Sequence, residues 1–106
     1  MGYFVIVAYR PHKGKEQQLL EVVRDHLPVL RSQGLATERP PLVLRAADDT
    51  IIEIFEWKSK AAVDQAHTNK AVQELWGRFA QVCDYQSLAS LEECKQLFAH
   101  FEPVDL

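Results

Sequence analysis

The sequence predicts an α+β fold with the element order β-α-β-β-α-β and a four-stranded antiparallel sheet. Three observations carry that reading. Tyr3–Arg10 and Ile51–Trp57 are rich in β-branched and aromatic residues, which favours strands. Each is followed by a run with apolar residues at three- and four-residue steps, the mark of an amphipathic helix. Asp48-Asp49-Thr50 is a short turn that joins Leu42–Ala47 to Ile51–Trp57 as a hairpin.

At 106 residues, 47% hydrophobic and 25% charged, the chain suits one soluble domain able to bury a core without disulfides or a structural metal. A net charge of −3, with twelve Lys and Arg spread along the chain, argues against nucleic acid as a partner. The longest purely apolar run is Val5–Ala8, whereas a membrane span needs about 20 residues. No basic segment and small-residue cleavage site opens the sequence, so a cytoplasmic protein with no membrane partner is expected. Cys83 and Cys94 form no C-x-x-C motif and read as free thiols, with Cys83 on a helix face.

In the first strand both alternating sets, Tyr3/Val5/Val7/Tyr9 and Phe4/Ile6/Ala8/Arg10, are largely apolar, so both faces should avoid water. Pro11-His12-Lys13-Gly14 ends it with turn chemistry. Lys15 to about Arg31 reads as the first helix, with Leu19, Val22, Val23, His26, Leu27 and Leu30 as its buried stripe. Pro28 removes a backbone donor, which predicts a kink or break near Arg24–Leu27; Gly34 ends the element. His26, beside the stripe, reads as a half-buried histidine bonded to a carbonyl.

After the connector ending in Pro40-Pro41, the third strand presents Ile51, Glu53, Phe55 and Trp57 on one side and Ile52, Ile54 and Glu56 on the other. Each side therefore carries a carboxylate among large apolar groups. Both read as solvated or edge groups, since a buried one needs a partner. Lys58-Ser59-Lys60 leads into a short helix over Ala61–His67, and Thr68-Asn69 offers a cap for a second one from Lys70. There Val72, Leu75, Trp76, Phe79, Val82 and Cys83 make a strong apolar stripe. Gly77, next to Trp76, suggests close approach of another element. Tyr85–Cys94 reads as irregular or one-turn helical connection, and Leu97–Val104 as the fourth strand at an edge, with a helix over Leu91–Phe101 as the alternative.

Two helices cover one face of such a sheet, while the first and third strands are apolar on both. The simplest cover for the second face is another copy of the chain, a homodimer through the sheet face. The familiar phosphate-binding, zinc-protease and nucleophile-elbow motifs are absent, and His12, His26, His67 and His100 lie on different elements without ligand-like spacing. No metal and no cofactor are expected on that basis.

The join Phe55-Glu56-Trp57-Lys58-Ser59-Lys60-Ala61-Ala62, followed by Ala66-His67 and taken with the element order, resembles the antibiotic biosynthesis monooxygenase family. The likeness runs from about Tyr3 to Val82. It implies a ferredoxin-like subunit, a dimeric α+β barrel, and a pocket between sheet and helices. It also implies a cofactor-independent monooxygenase acting on an aromatic or phenolic small molecule; a non-catalytic binding or stress-related dimer is the alternative. The heme-degrading members' residues do not carry over: Val7, Ala66 and Leu75 or Trp76 stand where those enzymes use asparagine, tryptophan and histidine. His67 is then the candidate catalytic base, because a neutral imidazole can take a proton from an acidic phenol near neutral pH. Tyr9, Trp57, Trp76 and Phe79 are the candidate substrate-binding residues.

Overall fold

The computed structural model of the chain describes residues 2–106. Strand β1 (Tyr3–Pro11) leads to helix α1 (Glu16–Ser32), and the hairpin β2 (Leu42–Arg45) and β3 (Ile51–Trp57) follows. Helices α2 (Lys60–Ala66) and α3 (Lys70–Val82) come next, then β4 (Cys83–Gln86), two 3-10 turns and β5 (Glu102–Pro103). The sheet is antiparallel in the order β4-β1-β3-β2-β5. No helix among the described residues is long and apolar enough to cross a membrane.

The α+β class holds, but the sheet has five strands rather than four. The strand that completes the second β-α-β crossover is β4, which starts at Cys83 with no intervening loop and pairs with β1. The expected fourth strand over Leu97–Val104 shrinks to Glu102–Pro103, paired with β2 at the far edge. The long helix weighed for Leu91–Phe101 does not form. Only 3-10 turns at Leu88–Ser90 and Glu92–Lys95 appear.

Helix ends follow side-chain chemistry. The Ser59 hydroxyl accepts from the Ala62 amide and the Asn69 carbonyl oxygen from the Val72 amide, each satisfying a donor that the first turn leaves free. Helix α1 continues through Pro28 instead of breaking. Pro28 and Arg24 both lie on its exposed side, where water can satisfy the carbonyl that the proline leaves without a donor. Gly77 meets no close neighbour either; the space over it is open.

Alternation along the strands divides the core in two. Val5, Val7 and Tyr9 of β1, Val43 of β2, and Ile51, Phe55 and Trp57 of β3 face the helices. The opposite parity forms a smaller cluster of Ala8, Ala46, Ile52 and Leu91, flanked by Leu44, Ile54, Leu88 and Phe101. The C-terminal segment thus covers one part of the second sheet face. The other part stays open: Phe4, Ile6 and Leu42 are 55%, 48% and 53% exposed.

Candidate functional site

Glu53 is the departure from an apolar core. It belongs to the helix-facing parity of β3 and is fully buried. A buried carboxylate requires hydrogen-bond partners, and two elements supply them. His26, on the apolar stripe of α1, places Nδ1 2.6 Å from Glu53 Oε1. Tyr9 of β1 donates its hydroxyl to the same oxygen at 2.7 Å. Tyr9 reaches it diagonally, since Val7 is the residue directly opposite Glu53 in the β1–β3 register. The Tyr9 hydroxyl and His26 Nδ1 are 3.5 Å apart, which closes the triangle.

The network assigns the hydrogens. Oε1 accepts from Tyr9, and with Nδ1 as its second donor the His26 tautomer carries hydrogen on Nδ1. Nε2 then presents its lone pair, and among the described residues it has no hydrogen-bond partner. Glu53 Oε2 is buried without a partner. Burial, reinforced by the charge of Glu53 and the hydrogen bond to it, raises the Tyr9 pKa well above that of an ordinary phenol, so Tyr9 stays a neutral donor.

Aromatic rings fix this cluster. Tyr9 stacks on Phe79 with centroids 4.7 Å apart and planes 9° from parallel. The His26 ring meets Phe55 and Phe79 edge-on, at 5.0 and 5.1 Å. Such contacts restrict the rotation of the imidazole.

Tyr9 and His26 also line a cavity of about 340 Å³ between the sheet and the α1/α3 pair. Val5 and Val7 of β1 and Phe55 and Trp57 of β3 form its floor; Trp76 and Phe79 of α3 form its roof. Tyr85 of β4, half exposed, stands at its edge. The volume lies in the range of small-molecule sites, and the lining is that of an apolar site with a few polar groups. Glu53 is not among the lining residues, while its hydrogen-bond partners Tyr9 and His26 are.

The candidate residues from the sequence fall into two groups. Tyr9, Trp57, Trp76 and Phe79 converge on the cavity. His67 does not line it: it caps the C-terminal end of α2, is exposed, and packs its ring edge-on to Trp76 at 5.2 Å. His26 and Glu53 were not among the candidates. Their signal was present in the sequence as two polar side chains on otherwise apolar stripes, but only the tertiary fold brings them together.

The second carboxylate of β3 has a different setting. Glu56, on the opposite parity, accepts from the Thr37 hydroxyl at 2.9 Å and from Arg39 Nε at 3.0 Å. The Arg39 and Thr37 hydrogen bonds lower its pKa below the usual carboxylate range. Arg39 also lies over the Phe4 ring, 5.5 Å from its centroid. Among the described residues, no group of three or more His, Cys, Asp or Glu side chains is arranged to hold a metal ion. No protein-family model, curated protein or solved structure matches the chain.

Proposed function

We propose that the cavity binds an aromatic or phenolic small molecule and that the protein is a cofactor-independent monooxygenase acting on it, with dioxygen as oxidant. One observation carries this reading: a small, largely aromatic cavity whose wall includes Tyr9 and His26, both hydrogen-bonded to the buried Glu53. Flat aromatic walls favour flat ligands through offset and edge-on ring contacts. An electron-rich phenolate can react with dioxygen without a metal, so a site that ionises a phenol supplies the step the protein must perform. Oxygen uptake with electron-rich phenols, in the presence of chelator, tests the oxidation. Native mass spectrometry of freshly purified protein tests the ligand class through any co-purified molecule.

A non-catalytic binding protein is the second reading. The Tyr9 hydroxyl is already committed to Glu53, which leaves few polar groups free in the cavity. A phenol that binds and is recovered unchanged under air favours this reading.

The strand order β4-β1-β3-β2 is that of a ferredoxin-like domain, with β5 as an addition at the β2 edge. We read the open part of the second sheet face as a homodimer surface, as in a dimeric α+β barrel. Ile6, Ile54 and Leu42 form a row across three strands there, with Phe4 one step along. Size-exclusion chromatography with light scattering distinguishes one copy from two.

A further inference from the structure

We infer that His26 is the general base of this cavity, taking the proton from the hydroxyl of a bound phenol through Nε2, and that Glu53 is its positioning residue. This deepens the aromatic-ligand reading above and rests on it. Three features support this assignment. Nδ1 is committed to Glu53 Oε1 at 2.6 Å, which leaves Nε2 as the ring's free acceptor. His26 is a lining residue of the cavity, so that acceptor belongs to a side chain a ligand can reach. The ring makes edge-on contacts with Phe55 and Phe79, at 5.0 and 5.1 Å, which restrict its rotation.

The step is a simple proton transfer. The ligand's O–H bond breaks, its electron pair stays on oxygen, and an N–H bond forms at Nε2. The product is a phenolate beside an imidazolium whose other N–H points at the Glu53 carboxylate. That carboxylate, fully buried, stabilises the imidazolium as it forms. Tyr9 holds Glu53 Oε1 from the β1 side and is not itself the base, because its hydroxyl hydrogen is already donated there. The titratable groups around His26 are Tyr9 from β1 and Glu53 from β3; Tyr85 of β4 stands behind Tyr9, with ring centroids 5.7 Å apart. From α3 the neighbour is Phe79, while Asp25 of α1 and Arg78 of α3 pair with each other at the surface.

The test uses 4-nitrophenol and 4-nitro-1-naphthol, whose absorption bands separate phenol from phenolate. Binding is read first, by quenching of Trp57 and Trp76 fluorescence. At a pH where each probe is mostly neutral in solution, the bound probe is expected to show the phenolate band. His26→Gln should keep binding and lose that band. Glu53→Gln, which keeps the shape but not the charge, should weaken the band while binding persists, an effect that a merely structural role would not produce. Nitrogen-15 histidine NMR of the unaltered protein gives a readout that needs no variant. The His26 signal, identified through its contacts with Phe55 and Phe79, should move to the imidazolium position when the probe binds. A probe that binds but stays neutral overturns the inference and leaves the ligand reading standing. So does a phenolate band that persists in His26→Gln. Failure of both probes to bind overturns the aromatic-ligand reading and this inference together.

Discussion

His26 Nδ1 and Glu53 Oε1 lie 2.6 Å apart, with side chains 5% and 0% exposed, on elements separated by 27 residues of chain. Removing one member leaves the other buried without that partner. Glu53→Leu alone or His26→Leu alone should each cost about 3–5 kcal/mol, and the double replacement should recover much of that loss. Urea unfolding of the three variants measures it. Equal and additive losses would mean that the two side chains do not act as a pair.

Phe79 is fully buried and contacts both Tyr9 and His26. Phe79→Ala should destabilise the protein by about 3–5 kcal/mol. It should also enlarge the cavity, so that bulkier aromatic ligands gain affinity relative to small ones. Denaturant midpoints and fluorescence titration with a graded ligand series check the two halves separately.

Alkaline pH should weaken the fold. Burial, with a smaller contribution from Asp84, pushes the Cys83 thiol from 9.0 to about 11. Burial, with smaller contributions from Cys83 and Glu53, pushes Tyr85 from 10.0 to about 12. Both values are higher folded than unfolded, so the native state holds these protons more tightly. Their contribution is complete below about pH 9 and is lost as pH rises through about 11 and 12. Urea midpoints should therefore fall across that window, and Cys83→Ala should flatten the lower part of the slope.

Much of this fold is legible in the chain because local chemistry and tertiary placement agree. Ser59 and Asn69 announce their helices, and the core buries the stripes of α1 and α3, apart from the partly buried Trp76. Strand β4 was hidden by continuity: the apolar stripe of α3 runs on to Cys83, and the helix gives way to strand there without a Gly or Pro. The cavity aromatics were readable as a set. The Tyr9–Glu53–His26 cluster was not, because its members come from β1, β3 and α1 and no spacing in the sequence links them.

Asn69→Ala should cost about 1 kcal/mol, since the Val72 amide loses its acceptor at the start of α3. Thermal unfolding measures the loss. Asn69→Asp should recover it, because an aspartate accepts the same hydrogen bond.

If two copies meet through the open sheet face, Ile6→Glu should give a folded monomer, because Ile6 sits in the row with Ile54 and Leu42. Light scattering reads the mass and circular dichroism reads the fold. A variant whose mass matches that of a dimeric parent would place the contact elsewhere.

The two carboxylates of β3 occupy opposite parities, and that placement makes the strand self-checking during folding. A slip of one residue would turn Glu53 away from the helices and bring Ile52 or Ile54 against His26. The imidazole and the Tyr9 hydroxyl would then be buried with no acceptor. At the same time Glu56 would leave Thr37 and Arg39 and enter the main core unpaired. Hydrophobic content alone barely separates the two alignments, because isoleucines stand on one parity and Ile51, Phe55 and Trp57 on the other. The hydrogen-bonded carboxylates distinguish them, so the cluster beside the cavity also favours one alignment of the sheet.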